Sequence, residues 1–284
     1  MIPASFTYHR PESVDAAIGL LSEHGEEARV VAGGHSLIPM MKLRMTDIAH
    51  LIDLQDIGDL KGIGVSGGTV TLGAMTTQHE LIASDELAKA APIIREAALQ
   101  IADPQVRYVG TVGGNVANGD PGNDMPGLMQ CLDAAYVLAG PGGTREVAAR
   151  DFYEAAYFTA RGDDEILVSI RFKATGGGYA YEKQKRKIGD YATAAAAVLI
   201  EKSGATCSSA SIAMTNLSDT PVWCAAAADA LIGSSLDNTA TDAAVAAMQE
   251  AIDPQEDNRG PVEFKRHVAG VMLRRAIARA VARA

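Results

Sequence analysis

The sequence predicts an α+β chain, on three observations. Strand-like alternation (Ile63 and Val65, then Val70 and Leu72) occurs beside helical spacing (Val14, Ala17, Ile18 and Leu21). The two patterns do not alternate regularly, as the βαβ units of a parallel sheet would. Two glycine pairs, Gly33-Gly34 and Gly113-Gly114, interrupt them, each followed at once by a polar residue. With 284 residues, 48% of them hydrophobic and 21% charged, the chain has globular composition and room for about two domains.

Taken in order, Ser5–Tyr8 reads as a short strand. Pro11-Glu12-Ser13 opens a helix, with Ser13 as N-cap, Asp15 in the first turn and Gly25 near the stop. Arg29–Ala32 reads as a buried strand, Ser36–Leu43 as one or two helical turns and His50–Leu54 as a strand, so residues 1–56 are expected to form a β-α-β subdomain. From Leu60 the pattern changes to a hairpin turning at Ser66-Gly67-Gly68. Thr77 to Glu80 has capping-box spacing, and a longer helix is expected over Ala88–Ile101. Asp103 to Gly127 is rich in Gly, Asn and Pro and has no period, which predicts an ordered ligand-binding loop. Ala134–Leu138, Arg145–Ala148 and Ile166–Phe172 read as strands, with a hairpin turn at Gly140–Gly143, completing a middle subdomain over 57–175. Gly176-Gly177-Gly178 reads as a linker into a C-terminal α+β domain, 176–284. Its strands are expected at Tyr179–Lys183, Ala194–Glu201 and Ser208–Met214, and its helices at Ala225–Ile232, Thr241–Ala251 and Glu263–Ala282.

Charge and cysteine usage exclude several classes. The formal net charge of −10 argues against a general nucleic-acid binder, which needs a basic face. The first residues lack a basic region followed by an apolar one, so no secretory leader is expected, and no stretch reaches membrane-span length. Cys131, Cys207 and Cys224 stand far apart, without a C-x-x-C pair, and the six histidines show no H-E-x-x-H spacing, so no metal is expected on this chain. Buried thiols in a reducing compartment fit that pattern.

The chemistry centres on the glycine pairs. Paired glycines let the backbone approach a ligand and adopt positive φ without steric cost. Converging N–H groups in such turns bind anions. Ala32-Gly33-Gly34-His35-Ser36 and Thr111-Val112-Gly113-Gly114-Asn115 are expected to clamp a diphosphate from both sides, with the Ser36 and Thr111 hydroxyls as further donors. Either pair alone could equally be an ordinary tight turn.

Longer stretches are more specific: Ala32 to Lys42 (AGGHSLIPMMK), Gly73 to His79 (GAMTTQH), Gly119 to Pro126 (GDPGNDMP) and Lys187 to Ala194 (KIGDYATA). With these, the whole chain resembles the flavoprotein subunits of the molybdenum hydroxylases, and within them the medium subunits of aerobic carbon monoxide dehydrogenases. The resemblance implies the FAD-binding fold shared with vanillyl-alcohol oxidase, followed by a C-terminal domain. It implies non-covalent FAD, no metal on this chain and no catalytic residue here. The expected partners are a large molybdenum-binding subunit, with copper in this branch, that oxidises the substrate, and a small subunit with two [2Fe–2S] clusters. A dimer of heterotrimers is expected, passing electrons to a quinone-linked acceptor in the cytoplasm or at the inner face of the cytoplasmic membrane. The same subunit of another molybdenum hydroxylase (xanthine, nicotinate or aromatic-CoA type) and a non-catalytic nucleotide- or phosphate-binding protein are the alternatives.

On that resemblance the residues expected at the cofactor are Ala32, Gly33, Gly34, His35, Ser36, Leu37, Ile38, Ile101, Ala102, Gly110, Thr111, Gly113, Gly114, Asn115, Ala117, Asp124, Lys185 and Tyr191. His35 reads as a hydrogen-bond donor or a turn residue; the family also admits glutamine there. Asp124 reads as a ribose acceptor or a loop cap, with Asp120 and Asn118 as weaker candidates of the same kind. Ile101 and Ala102 line the cofactor or the core. Among Lys183, Lys185, Arg186 and Lys187, the family points to Lys185 beside the flavin, against a solvated patch. Tyr191 packs on the ring or in the core. The basic terminal helix, with Lys265, Arg266, Arg274, Arg275, Arg279 and Arg283, reads as a docking surface for an acidic partner, as a membrane-surface helix or as an ordinary solvated helix.

Overall fold

The computed structural model describes residues 2–284; Met1, the first residue of the expected N-terminal subdomain, lies outside the described residues. Three main sheets follow one another along the chain. The first is a small parallel sheet in which His50–Asp53 lies between Thr7–His9 and Ala28–Val31. The helix Val14–His24 covers it with Ala17, Ile18 and Leu21. Ser13 caps this helix, accepting from Ala16 N–H at 3.2 Å, and Gly25 ends it at φ +51°.

The second sheet is antiparallel, ordered Ile63–Ser66, Thr69–Gly73, Ile166–Lys173, Ala135–Gly140 and Gly143–Ala148. Both hairpins turn where the glycines stand: Gly67 and Gly68 have φ of +57° and +76°, and Gly143 +103°. The third sheet, also antiparallel, runs Gly178–Gln184, Ala194–Ser203, Thr206–Thr215, Val222–Trp223. Its alanine-rich central strand packs against Val262–Val281 and shares a core with Asn238–Ala251. The architecture is the α+β arrangement expected.

Two expectations are corrected. The helix over 88–101 is instead two, Asp85–Ala90 and Pro92–Ala98, because Pro92 forces Ala91 out of helical geometry (φ −153°, ψ 72°). The glycine-rich loop 103–127 is ordered, but it is three short helices: Pro104–Arg107, Val112–Ala117 and Asp124–Cys131. Asp103 and Thr111 cap the first two, accepting from Val106 and Gly114 N–H at 3.0 Å each. Helices of four to eight residues are too short to display a 3.6-residue period.

The basic terminal helix spends its charges within the chain. Lys265 is buried and donates to the Gln255 carbonyl at 2.7 Å and pairs with Asp257 at 3.0 Å. Arg266 donates to the Gln249 and Ile252 carbonyls at the end of the preceding helix. Arg279 pairs with Glu182 and Glu96, Arg283 with Glu96, and Arg274 with Asp242. Most of these charges are held within the chain, while Arg275 stays exposed. No helix among the described residues is long and apolar enough to cross a membrane.

Candidate functional site

A cleft of about 640 Å³ opens where the three sheets meet. Its volume is in the range of cofactor sites. The first strand pair delivers Ala32 to Leu37 to one wall, the short helices and their flanks deliver Ile101 to Asp124 to another, and Lys183 with Gly189 to Tyr191 closes a third. Of the residues expected at the cofactor, all but two line it. Ile38 faces a shallower neighbouring hollow with Tyr8 and Tyr108, and Lys185 lines neither. Asn118 lines the cleft, whereas Asp120 does not; its carboxylate holds a turn, accepting from Gly122 N–H at 2.9 Å.

The two glycine pairs do different work. In the first, none of the N–H groups of Gly33, Gly34, His35 and Ser36 donates to a backbone carbonyl among the described residues. The turn leads into the helix Leu37–Lys42, and Ser36 makes no side-chain cap bond. Gly34 adopts φ +73°, which a glycine takes without strain. This turn is open to an anion.

In the second pair the N–H groups are engaged. Val112 donates to Thr76 O at 2.9 Å, Gly113 to Ala74 O at 2.8 Å and Asn115 to Thr111 O at 3.1 Å. Gly114 donates to the Thr111 hydroxyl. The two-sided N–H clamp is therefore corrected to a one-sided cradle. The absent side chains serve backbone packing: a Cβ on Gly113 would stand 2.5 Å from Ala74 Cβ, and one on Gly33 2.6 Å from the Val109 carbonyl oxygen. Gly33 thus lets one turn rest on the other.

Asp124 and Lys183 form a buried pair in the cleft wall. Lys183 Nζ lies 2.7 Å from Asp124 Oδ2, with side chains 1% and 6% exposed, and Tyr181 OH donates to Oδ1 at 2.5 Å. Burial pushes the Asp124 carboxyl above its ordinary value, against the pull of the Lys183 ammonium and the Tyr181 hydroxyl. Burial and the nearby carboxylate likewise hold the Tyr181 phenol well above its usual range. Each oxygen of Asp124 already accepts one hydrogen bond, from Tyr181 and from Lys183, which leaves lone pairs for a hydroxyl on the cleft side. Of the basic run Lys183 to Lys187, Lys183 lines the cleft and Lys185 does not. Burial and Lys183 itself hold the Lys185 ammonium below its ordinary value.

Gln78 is the second position of the expected capping box. The box forms, with Thr77 N–H donating to Glu80 Oε2 at 2.7 Å and Glu80 N–H to the Thr77 hydroxyl at 3.2 Å. Gln78 follows at 2% exposure and lines the cleft, and neither its amide nitrogen nor its amide oxygen has a partner. A buried unpaired amide is costly. Its two polar atoms, the open N–H groups of the first turn and the adjoining ammonium suit a polar, anionic, dinucleotide-sized cofactor. His35 is exposed at the mouth. Tyr191, 42% exposed, packs against Gly122 with Arg259 over its ring at 5.6 Å. Ala102 holds φ +44°, strained for a residue with a side chain, and Gly189 rests on its carbonyl, tying two walls of the cleft together.

The three cysteines are buried and free. Burial pushes the thiols of Cys131 and Cys224 up to about 12, which leaves them inert as nucleophiles.

Residues 4–175 match the family model of the FAD binding domain in molybdopterin dehydrogenase, and 179–280 that of the CO dehydrogenase flavoprotein C-terminal domain. The chain is 60% identical to the carbon monoxide dehydrogenase medium chain of Afipia carboxidovorans, over 100% of this chain and 99% of the relative. It is 46% identical to the carbon monoxide dehydrogenase medium chain of Hydrogenophaga pseudoflava, over the same shares. The crystal structure of a cyanide-inactivated Cu,Mo-CO dehydrogenase superposes with a TM-score of 0.98 at 60% identity, over 100% of both chains.

Proposed function

This chain belongs to the FAD-binding flavoprotein family of the molybdopterin dehydrogenases, and we propose that it is the medium subunit of a carbon monoxide dehydrogenase, an oxidoreductase complex. In this reading, carbon monoxide is oxidised on a large molybdenum-binding subunit and never meets this chain. A small subunit with [2Fe–2S] clusters delivers electrons here, and a quinone-linked acceptor takes them away. The complex is a dimer of heterotrimers, in the cytoplasm or on the inner face of its membrane.

Bound FAD supplies the electron relay. The chain's own residues bind and tune it. The N–H groups of Gly33 to Ser36 would hold the diphosphate, and the Gln78 amide would gain its missing partners. Lys183, anchored to Asp124, would offer a further N–H donor to the cofactor from the cleft wall.

The observation that carries this reading is the open glycine turn and the unpartnered Gln78 amide facing one 640 Å³ cleft. Extraction of the purified chain with mass identification tests it. One FAD per chain, released without a covalent link, is expected. A different nucleotide, or no uptake of FAD on incubation, would overturn it.

A further inference from the structure

The six histidines include three that converge away from the cleft. His9 ends the strand Thr7–His9, His50 opens the strand His50–Asp53 and His24 ends the helix Val14–His24 that covers this sheet. The parallel register sets Thr7 opposite His50, so His9, two residues on, points to the same face as His50. The helix end drops His24 onto that face. Its ring stacks on His50 with centroids 3.7 Å apart and planes 13° apart. His9 Nε2 lies 3.0 Å from His50 Nδ1. One ring nitrogen from each residue lies within 4.8 Å of the others, and all three residues are half-buried.

We propose that His9, His24 and His50 form a binding site for a divalent transition-metal ion of the zinc class. Three imidazoles with no thiolate or carboxylate in the set suit zinc, copper or nickel and not calcium or magnesium. A tetrahedral zinc ion bonds imidazole nitrogen at about 2.0–2.1 Å, which sets ligand nitrogens roughly 3.3 Å apart. Ring rotation on half-exposed side chains closes the set from its present spacing, unstacking His24 from His50. The fourth position faces solvent and takes water.

None of the three histidines lines the cofactor cleft, although Ala28, which pairs with His50, does. The turn at Gly33 lies about 16 Å of extended chain beyond Ala28. A bound ion would tie two strands and the helix of the smallest sheet together, so its effect is on stability and does not depend on the FAD assignment.

The test uses the untagged full-length chain. Equilibrium dialysis against zinc, followed by metal quantification, is expected to give one chelator-reversible zinc ion per chain, and zinc is expected to raise Tm. His24→Gln and His50→Gln should each weaken binding at least about tenfold and abolish the Tm rise. His267→Ala, at an exposed histidine elsewhere, should change neither. Circular dichroism and flavin content check that the variants fold; if His50→Gln does not, His24→Gln at the helix end decides. No saturable zinc, or equal affinity in wild type and His24→Gln, would overturn the proposal.

Discussion

Gln78 is the side chain whose surroundings make least sense without a ligand. Burying its amide unpaired costs about 1–3 kcal/mol. Gln78→Met should therefore raise the Tm of the FAD-free chain while weakening FAD binding about tenfold; a thermal scan and a flavin titration check both signs. The Asp124–Lys183 pair in the same cleft behaves differently. Lys183→Met leaves the Asp124 carboxylate buried without its cation, at a cost of about 3–5 kcal/mol. Burial already holds the Asp124 carboxyl above its ordinary value in the folded state, and losing Lys183 removes the main opposing pull. A carboxyl raised on folding adds stability below its unfolded value and loses it as pH rises through the folded one. Lys183→Met should thus gain stability relative to wild type as pH falls from 7 towards 4, and Lys183→Met with Asp124→Asn should recover most of the loss at pH 7; urea titrations at each pH measure this. Sequence alone located the charge run but not its buried member. Tyr181 and Lys183 share a face by strand parity, but that strand ends at Gln184, so parity stops short of Lys185. Gln78 stands in a capping box and in the stretch Gly73 to His79 that carries the family resemblance, but neither shows that its amide faces the cleft.

Elements ending in caps were legible in the sequence. Ser13, Thr77 and the hairpin glycines each satisfy or release the backbone locally, so their signal needs no tertiary context. What failed was length. Pro92 splits one expected helix, and the short helices between Pro104 and Cys131 hide their period. The relation between the glycine turns was also invisible, since it depends on Gly33 resting on Val109. Gly33→Ala should force the turns apart, lowering both Tm and flavin content; retention of both in the purified variant would show that the close approach is dispensable. The terminal helix is anchored by Glu96, which accepts from Tyr181 N–H at 2.7 Å and pairs with Arg279 and Arg283. Glu96→Ala should cost about 1–3 kcal/mol in a urea titration, with flavin content kept, because these bonds lie between the middle helices and the C-terminal domain.

At the scale of the whole molecule, the cleft exists only because three sheets are assembled. The cores cross their boundaries: Met75, Ala139 and Ile166 pack with the first sheet, and Tyr181, Ala195 and Ala213 with the second. Every wall of the site therefore depends on folding of the entire chain, which explains why residues from 32 to 191 meet in one place. The fold class was readable from the sequence, and most of the residues expected at the cofactor line the cleft, while the division of labour between the two turns needed coordinates. The central claim is that the first turn alone grips the cofactor's diphosphate. A crystal structure of the chain with FAD tests it most directly. Diphosphate oxygens about 3 Å from the backbone nitrogens of Gly33 to Ser36 are the expected result. A diphosphate held instead by the amides of Val112 to Asn115, with the first turn left to solvent, would contradict it.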